Sequence, residues 1–433
     1  MNQPISSNKN NVSDRRIRVY PTQMETQSLG RLRVRCTSPG EIPIENATIS
    51  IALPSNPSVT IEQITTDASG LSQVIELNAP PIDYSLAPSD IQPYSEYNLL
   101  VSAPGHESAY FSDVQILADV TAEQNASLAL LPEGMPNEGE NFAIEPHTLY
   151  YEYPPKIPED EIKPTRETGE IVLPNVVVPE YVIVHDGPPD DSGATNHYVR
   201  FRDYIKNVAC SEIYATWPEA TIYANVLAIL SFTLNRVYTE WYRNKGYNFT
   251  ITSSTAYDHK WINGRNIFSN IGVLVDSVFV NYLSRPNVKQ PILTQYCDGN
   301  RVSCPGWMTQ WGSKDLGDQG YSAIEILRYF YGDSIYINTA TEVSGVPMSW
   351  QGVDLTTGSS GSSVRTIQEQ LNRIGQVYSA IPAVAVDGIY GPRTVEAVKA
   401  FQRIFSLPVT GIVNLATWYK ISQIYVGVTR IGQ

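Results

Sequence analysis

Nine prolines fall between residues 132 and 179 (Pro132, Pro136, Pro146, Pro154, Pro155, Pro158, Pro164, Pro174 and Pro179), where acidic residues outnumber basic ones. Proline has no N–H to give to a helix or a sheet ladder and fixes φ near −65°. No regular element tolerates that density, so the chain divides here. Its 433 residues also exceed what one hydrophobic core usually holds. Proline-rich acidic chain reads as an extended linker open to proteases.

Before the linker the pattern has period two. Arg31-Leu32-Arg33-Val34-Arg35-Cys36 alternates as a half-buried strand does, and Ala47 to Leu53 alternates again. Thr66-Asp67-Ala68-Ser69-Gly70 and Pro104-Gly105-His106 are turns. Further strands are expected over Leu71–Leu77, Tyr97–Ala103 and Ala126–Leu131. Short strands with regular turns predict an all-β sandwich over residues 30–131. Residues 1–29 are polar and without clear periodicity, and they read as disordered. They hold no apolar core of the kind a secretion signal carries.

After the linker, residues 180–345 mix strand and helix patterns, which predicts an α+β domain. Tyr181–Val184 reads as a strand. Helices are expected over Ala220–Tyr242, Ile267–Leu283 and Ala323–Tyr331. No apolar run reads as a membrane span. Glu212 stands at the end of an apolar segment, beside Tyr214 and Trp217 and one turn before a helix starting at Pro218. Apolar surroundings raise a carboxyl pKa and keep its proton on, which is what a general acid for glycosidic cleavage needs. A solvated or capping Glu is the plainer alternative.

A Gly/Ser-rich linker, 346–363, precedes a C-terminal region, 364–430. Val364, Ile367, Leu371 and Ile374 make one helix face; Val395, Val398, Phe401 and Phe405 make another. An internal repeat is visible: Val386-Asp387-Gly388-Ile389 returns as Val409-Thr410-Gly411-Ile412, each a glycine turn before a helix.

Net charge is −14, which argues against a nucleic-acid protein. Residues 362–427 go the other way, with six Lys/Arg against three Asp/Glu, so an anionic polymer would attract them. Four scattered cysteines are too few for a disulfide scaffold. Cys297 and Cys304 are read as free buried thiols in preference to a disulfide or a zinc pair, and Cys210 as a small buried residue. No metal ligands and no cofactor are assigned.

Several stretches resemble known families. "TDASG" with "YNLLVSAPGHE" is similar to carboxypeptidase-regulatory-like sandwiches. "IQEQLNRIG", "AVDGIYGPRTVEAVKAFQ" and "LPVTGIVNLATW" resemble the three-helix peptidoglycan-binding domain of bacterial wall hydrolases. "SEIYATWPEATIYANVLAILSFTLNR", "STAYDHKWINGRN" and "TQWGSKDLGDQGYSAIEILRYFYGD" resemble the SpoIID family of peptidoglycan lytic transglycosylases, in which the Glu matching Glu212 is catalytic. The family's glycine-rich segment is shortened here to residues 295–306. The whole arrangement is similar to clostridial spore cortex-lytic enzymes. That resemblance implies a zymogen placed in the cortex and coat region of a spore, acting on cortex peptidoglycan. It also implies activation by a subtilisin-like Csp protease that cuts within 132–179.

The transglycosylase resemblance implies that one carboxyl protonates the leaving oxygen, then accepts the proton of the muramic 6-hydroxyl as it attacks. Tyr257, Asp258, His259 and Lys260 form one cluster of substrate-binding candidates; Tyr296, Asp298 and Gln310 form another. Tyr390, Arg393 and Trp418 are candidates for contact with the wall, although packing is the better reading for Trp418. Each candidate also fits a structural role. An amidase or muramidase using water, and a non-catalytic spore wall protein, are the alternatives.

Overall fold

The computed structural model describes residues 28–163 and 172–430. The expected disordered segment lies outside them except for Ser28 and Leu29, which open the first strand. Nine strands build the N-terminal part: β1 (Ser28–Ser38), β2 (Ile42–Pro43), β3 (Thr48–Leu53), β4 (Asn56–Thr65), β5 (Ile75–Ala79), β6 (Ser95–Ser102), β7 (Ala109–Ile116), β8 (Thr121–Ser127) and β9 (Glu140–Ala143). One sheet runs β4-β3-β6-β7-β9; the other has β1 between β8 and the two short partners β2 and β5. In β1 the alternation works as read: Leu32, Val34 and Cys36 are fully buried between the sheets, and the arginines point outward.

The proline-rich segment is not a free spacer. Its residues 140–143 form β9, paired in parallel with β7, so the sandwich extends beyond residue 131. From there the chain lies against the central domain as far as Lys163, itself buried. The part of the expected cleavage region at residues 164–171 lies outside the described residues.

The central domain is built on α1 (Phe201–Glu212) and α2 (Glu219–Tyr238). Pro218 caps α2 and Glu219 sits in its first turn, a favourable start for the helix macrodipole. Twenty residues long and apolar enough to cross a membrane by length and composition, α2 differs from the sequence expectation. It is the core helix of this domain, with 89% of its apolar window buried. Its buried amides tie it to the chain around it through their Nδ2 groups: Asn225 donates to Ser313 Oγ at 2.8 Å and Asn235 to the Pro291 carbonyl at 2.7 Å.

The helix expected over 267–283 is shorter. Ile267–Phe268 is extended and joins β8 of the sandwich, α3 covers Ser269–Val278, and Asn281–Ser284 pairs with Tyr336–Thr339. Ladder pairing at both ends overrides the helical pattern of these apolar residues. A helix absent from the sequence reading, α4 (Gln310–Asp318), starts behind Thr309, whose side chain accepts from the Gly312 N–H; α5 spans Ala323–Tyr331 as expected.

Three helices close the chain: α6 (Ser362–Gly375), α7 (Pro392–Ile404) and α8 (Leu415–Arg430). The internal repeat has a three-dimensional counterpart. Gln368 Oε1 accepts from Gly388 N–H at 2.8 Å, and Gln402 Oε1 accepts from Gly411 N–H at 2.8 Å. Their Nε2 atoms donate to the Ile389 and Ile412 carbonyls at 3.0 and 2.9 Å. Both glycines have φ near +70°, a region open to glycine at little cost. The preceding linker is partly structured, through single bridges Leu355–Val413 and Ser360–Ile389.

The three parts interlock. Arg33 donates to Ser406 Oγ at 2.6 Å, Tyr378 hydroxyl to the Glu41 carbonyl at 2.5 Å, and Trp418 Nε1 to the Met348 carbonyl at 2.9 Å.

Candidate active site

Glu212 is the last residue of α1, and only 3% of its surface is exposed. The preceding apolar positions Ile205, Val208 and Ala209 bury that face of the helix and carry the carboxyl inward with it. It thus ends a helix, before the short turn that leads into α2. Oε1 accepts the Lys260 backbone N–H at 2.6 Å, and Oε2 accepts the Tyr296 hydroxyl. Gln310, first residue of α4, donates through Nε2 to the Glu212 carbonyl at 2.9 Å and fixes the backbone from behind. Burial raises the Glu212 pKa above the ordinary carboxyl value; the Lys156 ammonium is the largest effect opposing it, ahead of the Lys260 N–H and the Tyr296 hydroxyl.

Tyr296 lies on a two-residue strand paired in parallel with Met308–Thr309. Its ring stacks on His259 at 5.8 Å, and burial pushes its own pKa well up, so it is a neutral donor. His259 is sealed in, with Nδ1 3.1 Å from the Tyr204 hydroxyl. Burial first, then Lys156 and Arg236, hold its pKa well below the ordinary imidazole value, so it backs Tyr296 as a neutral ring.

Other candidates are drawn into structure. Asp258 is fully buried: it accepts from Arg236 Nε at 2.7 Å, Tyr242 hydroxyl at 2.6 Å, and Thr252 N–H and Oγ1 at 2.9 and 2.7 Å. Fully buried and held by these four donors, it is closed off from a sugar. The Lys260 ammonium turns away to Glu145, at 2.8 and 2.9 Å, and leaves only its backbone N–H in the site. Tyr257 is half-buried, and its carbonyl accepts from Arg236 at 3.1 Å. Asp298 caps a turn, accepting from the Arg301 and Val302 N–H groups at 2.7 and 2.8 Å.

That turn lies in a loop closed by a disulfide between Cys297 and Cys304, with Cα atoms 5.8 Å apart. The expectation of free thiols is thereby corrected. The parallel pairing of residues 296–297 with 308–309 folds the loop back and brings the two cysteines together. Cys210 and Cys36 are buried free thiols.

The small pocket at Glu212, about 60 Å³, is lined by Tyr296, Cys297, Asp298, Arg301 and Gln310 on one side and by Thr148, Tyr151, Tyr153, Pro154, Pro155 and Lys156 on the other. Ligand pockets usually measure ~300–1,000 Å³. The cover is the proline-rich segment; the sandwich proper only borders it, where Asp90 meets Arg301 at 3.3 Å and Trp217 Nε1 donates to the Ser85 carbonyl at 2.8 Å. The sequence reading missed this covering role, since a proline-rich stretch gives no sign of what it packs on.

Of the wall-contact candidates, Tyr390 and Trp418 are each 1% exposed. Tyr390 donates to the Gly411 carbonyl at 2.9 Å and ties the two repeats together, so neither aromatic is free for a polymer. Arg393 remains on the surface, its side chain 74% exposed.

Residues 360–421 match the family described as "Putative peptidoglycan binding domain". A stretch of 76 residues, 18% of this chain, is 38% identical to the zinc D-Ala-D-Ala carboxypeptidase of Streptomyces albus G and spans 28% of that protein's length. Among solved structures, the Bacillus anthracis TIE protein overlaps 24% of this chain and 17% of its own, at 11% identity and a TM-score of 0.17. The minor pilin GBS52 of Streptococcus agalactiae overlaps 25% of this chain and 48% of its own, at 14% identity and a TM-score of 0.18. Scores this low carry no argument. Among the described residues, no three His, Cys, Asp or Glu side chains gather as a metal site.

Proposed function

We propose that this chain is a peptidoglycan-cleaving enzyme, a lytic transglycosylase with Glu212 as its acid and base, held as an inactive precursor. The observation that carries the reading is the Glu212 carboxyl itself. It is buried, raised in pKa, and gripped by one backbone N–H and one tyrosine hydroxyl at the floor of a covered pocket. A protonated carboxyl there can give its proton to a glycosidic oxygen. The carboxylate left behind is stabilised by the same two donors and can take the proton of the muramic 6-hydroxyl, which leaves a 1,6-anhydro sugar. The C-terminal match supports delivery to the wall. The carboxypeptidase's zinc chemistry is not carried over, because the match spans only 28% of that protein's length.

The resemblance to clostridial spore cortex-lytic enzymes of the SleC type makes cortex peptidoglycan the substrate, the spore the location and a Csp-type protease the activator. The covered pocket supports an inactive stored form.

Glu212→Gln, introduced into activated protein, should slow lysis of purified sacculi by about a hundredfold or more while the melting temperature holds. A variant retaining a tenth of the parent rate removes Glu212 from the role.

A further inference from the structure

We infer that the groove now filled by residues 153–163 is the binding site for an N-acetylated glycan strand, and that this strap closes the enzyme by standing in the strand's place. The inference rests on the proposed function and adds where the polymer lies and what displaces it.

The strap starts as the roof over Glu212 and continues away from it along the central domain. Its grip on the groove is mostly through its peptide groups. Gln295 accepts the Glu159 N–H at 2.8 Å and donates to the Ile157 carbonyl at 2.7 Å. Gln290 accepts the Lys163 N–H at 2.7 Å and donates to the Lys163 carbonyl at 3.2 Å. Backbone adds Ile157 N–H to the Ala256 carbonyl at 2.7 Å, and Leu293 N–H to the Glu161 carbonyl at 2.8 Å. An acetamido group is a secondary amide, with one N–H and one C=O, as a peptide group is. A chain of N-acetylated sugars can therefore use the donors and acceptors of Gln290 and Gln295 that the strap now takes. Both glutamines are buried with the strap in place, and once it leaves their amides are free to take other polar partners.

At the Glu212 end, the Lys156 ammonium sits 5.1 Å from the Phe232 ring centroid and 5.4 Å from that of Tyr296. Positive charge develops on the sugar during glycosidic cleavage, and an aromatic floor beside a carboxylate suits it. The strap puts a fixed cation in that setting. Pro154, Pro155 and Pro158 keep the segment extended and reduce the entropy lost when it lies in the groove. At the far end Glu161 pairs with Arg285 through two contacts of 2.7 Å.

The experiment uses the full chain, wild type and Lys156→Gly/Glu161→Lys, which breaks the strap at both ends and leaves the groove untouched. The probe is the tetramer of N-acetylglucosamine, measured by calorimetry, with lysis of purified sacculi run in parallel. The strap variant is expected to bind the tetramer at least about tenfold more tightly than wild type, because a closed groove is competent only in the small fraction of molecules whose strap is off. A synthetic peptide of residues 151–163 should compete with the tetramer. Equal affinity in the two proteins, no binding in either, or no competition by the peptide overturns the inference. Tighter tetramer binding without Glu212-dependent lysis keeps the groove and sinks the proposed enzyme. Equal, Glu212-dependent lysis with equal tetramer affinity does the reverse.

Discussion

Glu212 shows how a single carboxyl can be poised by a few atoms. Burial pushes its pKa up; the Lys156 ammonium first, then the Lys260 N–H and the Tyr296 hydroxyl, pull it part of the way back. An acid acts while protonated, so the rate should fall as pH rises through the raised pKa. In a chain with the strap opened, Tyr296→Phe removes one of the stabilising donors. The high-pH limb of the rate profile should move to higher pH, and the maximal rate should drop about tenfold or more through loss of a transition-state donor. A profile that stays in place, or moves to lower pH, contradicts that role. Glu212, Tyr296, Lys260 and Gln310 were legible as candidates in the sequence because their setting and motif matches singled them out. The division of labour was not. Lys260 serves through its backbone while its side chain points elsewhere, and Asp258 is consumed by Arg236 and Tyr242. Which atom of a residue faces a site depends on long-range packing that no local pattern encodes.

Among the elements, the proline-rich strap departs furthest from its sequence. Composition showed that it is extended; it could not show that Gln290, Gln295 and Arg236, drawn from distant stretches, line up to hold it. Burial alone would push the Glu159 carboxyl up, but Arg236, bonded at 2.5 and 3.0 Å, overrides that and holds it at about 2, against an ordinary 4.5. A depressed carboxyl stabilises the closed form fully above its ordinary pKa, and that contribution fades as pH falls from about 4.5 towards 2. Amide exchange over residues 153–163, corrected for intrinsic rates, should therefore accelerate on acidification across that window. Glu159→Gln should exchange fast already at neutral pH, and exchange as slow as wild type there speaks against the anchor. The Cys297–Cys304 bond closes a short loop, with a sequence separation of 7. Cys297→Ser with Cys304→Ser is expected to cost about 2–3 kcal/mol in denaturant titrations under oxidising conditions. No difference from wild type there argues against the bond. The C-x6-C spacing was compatible with free thiols because only the parallel pairing of residues 296–297 with 308–309 brings the sulfurs together.

For the whole molecule, the three parts were visible in the sequence, while their interlocking was not. Ile267–Phe268 completes a sandwich sheet, and α8 docks on the central domain. Lys420 of α8 lines the cavity at that junction, where burial, then Lys206, brings its pKa down to about 8; Asp203 and Asp276 oppose the fall and Arg202 adds to it. Below pH 8 the native state bears the cost of the charged ammonium; from about 8 to 10.5 the unfolded chain holds the proton and the native chain does not, so stability rises with pH. Lys420→Met should stabilise the chain at pH 7 by on the order of 1–2 kcal/mol, and the advantage should shrink by pH 10. An advantage unchanged with pH contradicts this reading of the junction. The role proposed for Glu212 is cleavage of a glycan without water. Its most direct test is mass spectrometry of the fragments that strap-opened protein releases from purified sacculi. The fragments are expected to carry 1,6-anhydro ends, absent when Glu212→Gln is added; reducing ends one water heavier, or peptide cleavage alone, would contradict that role.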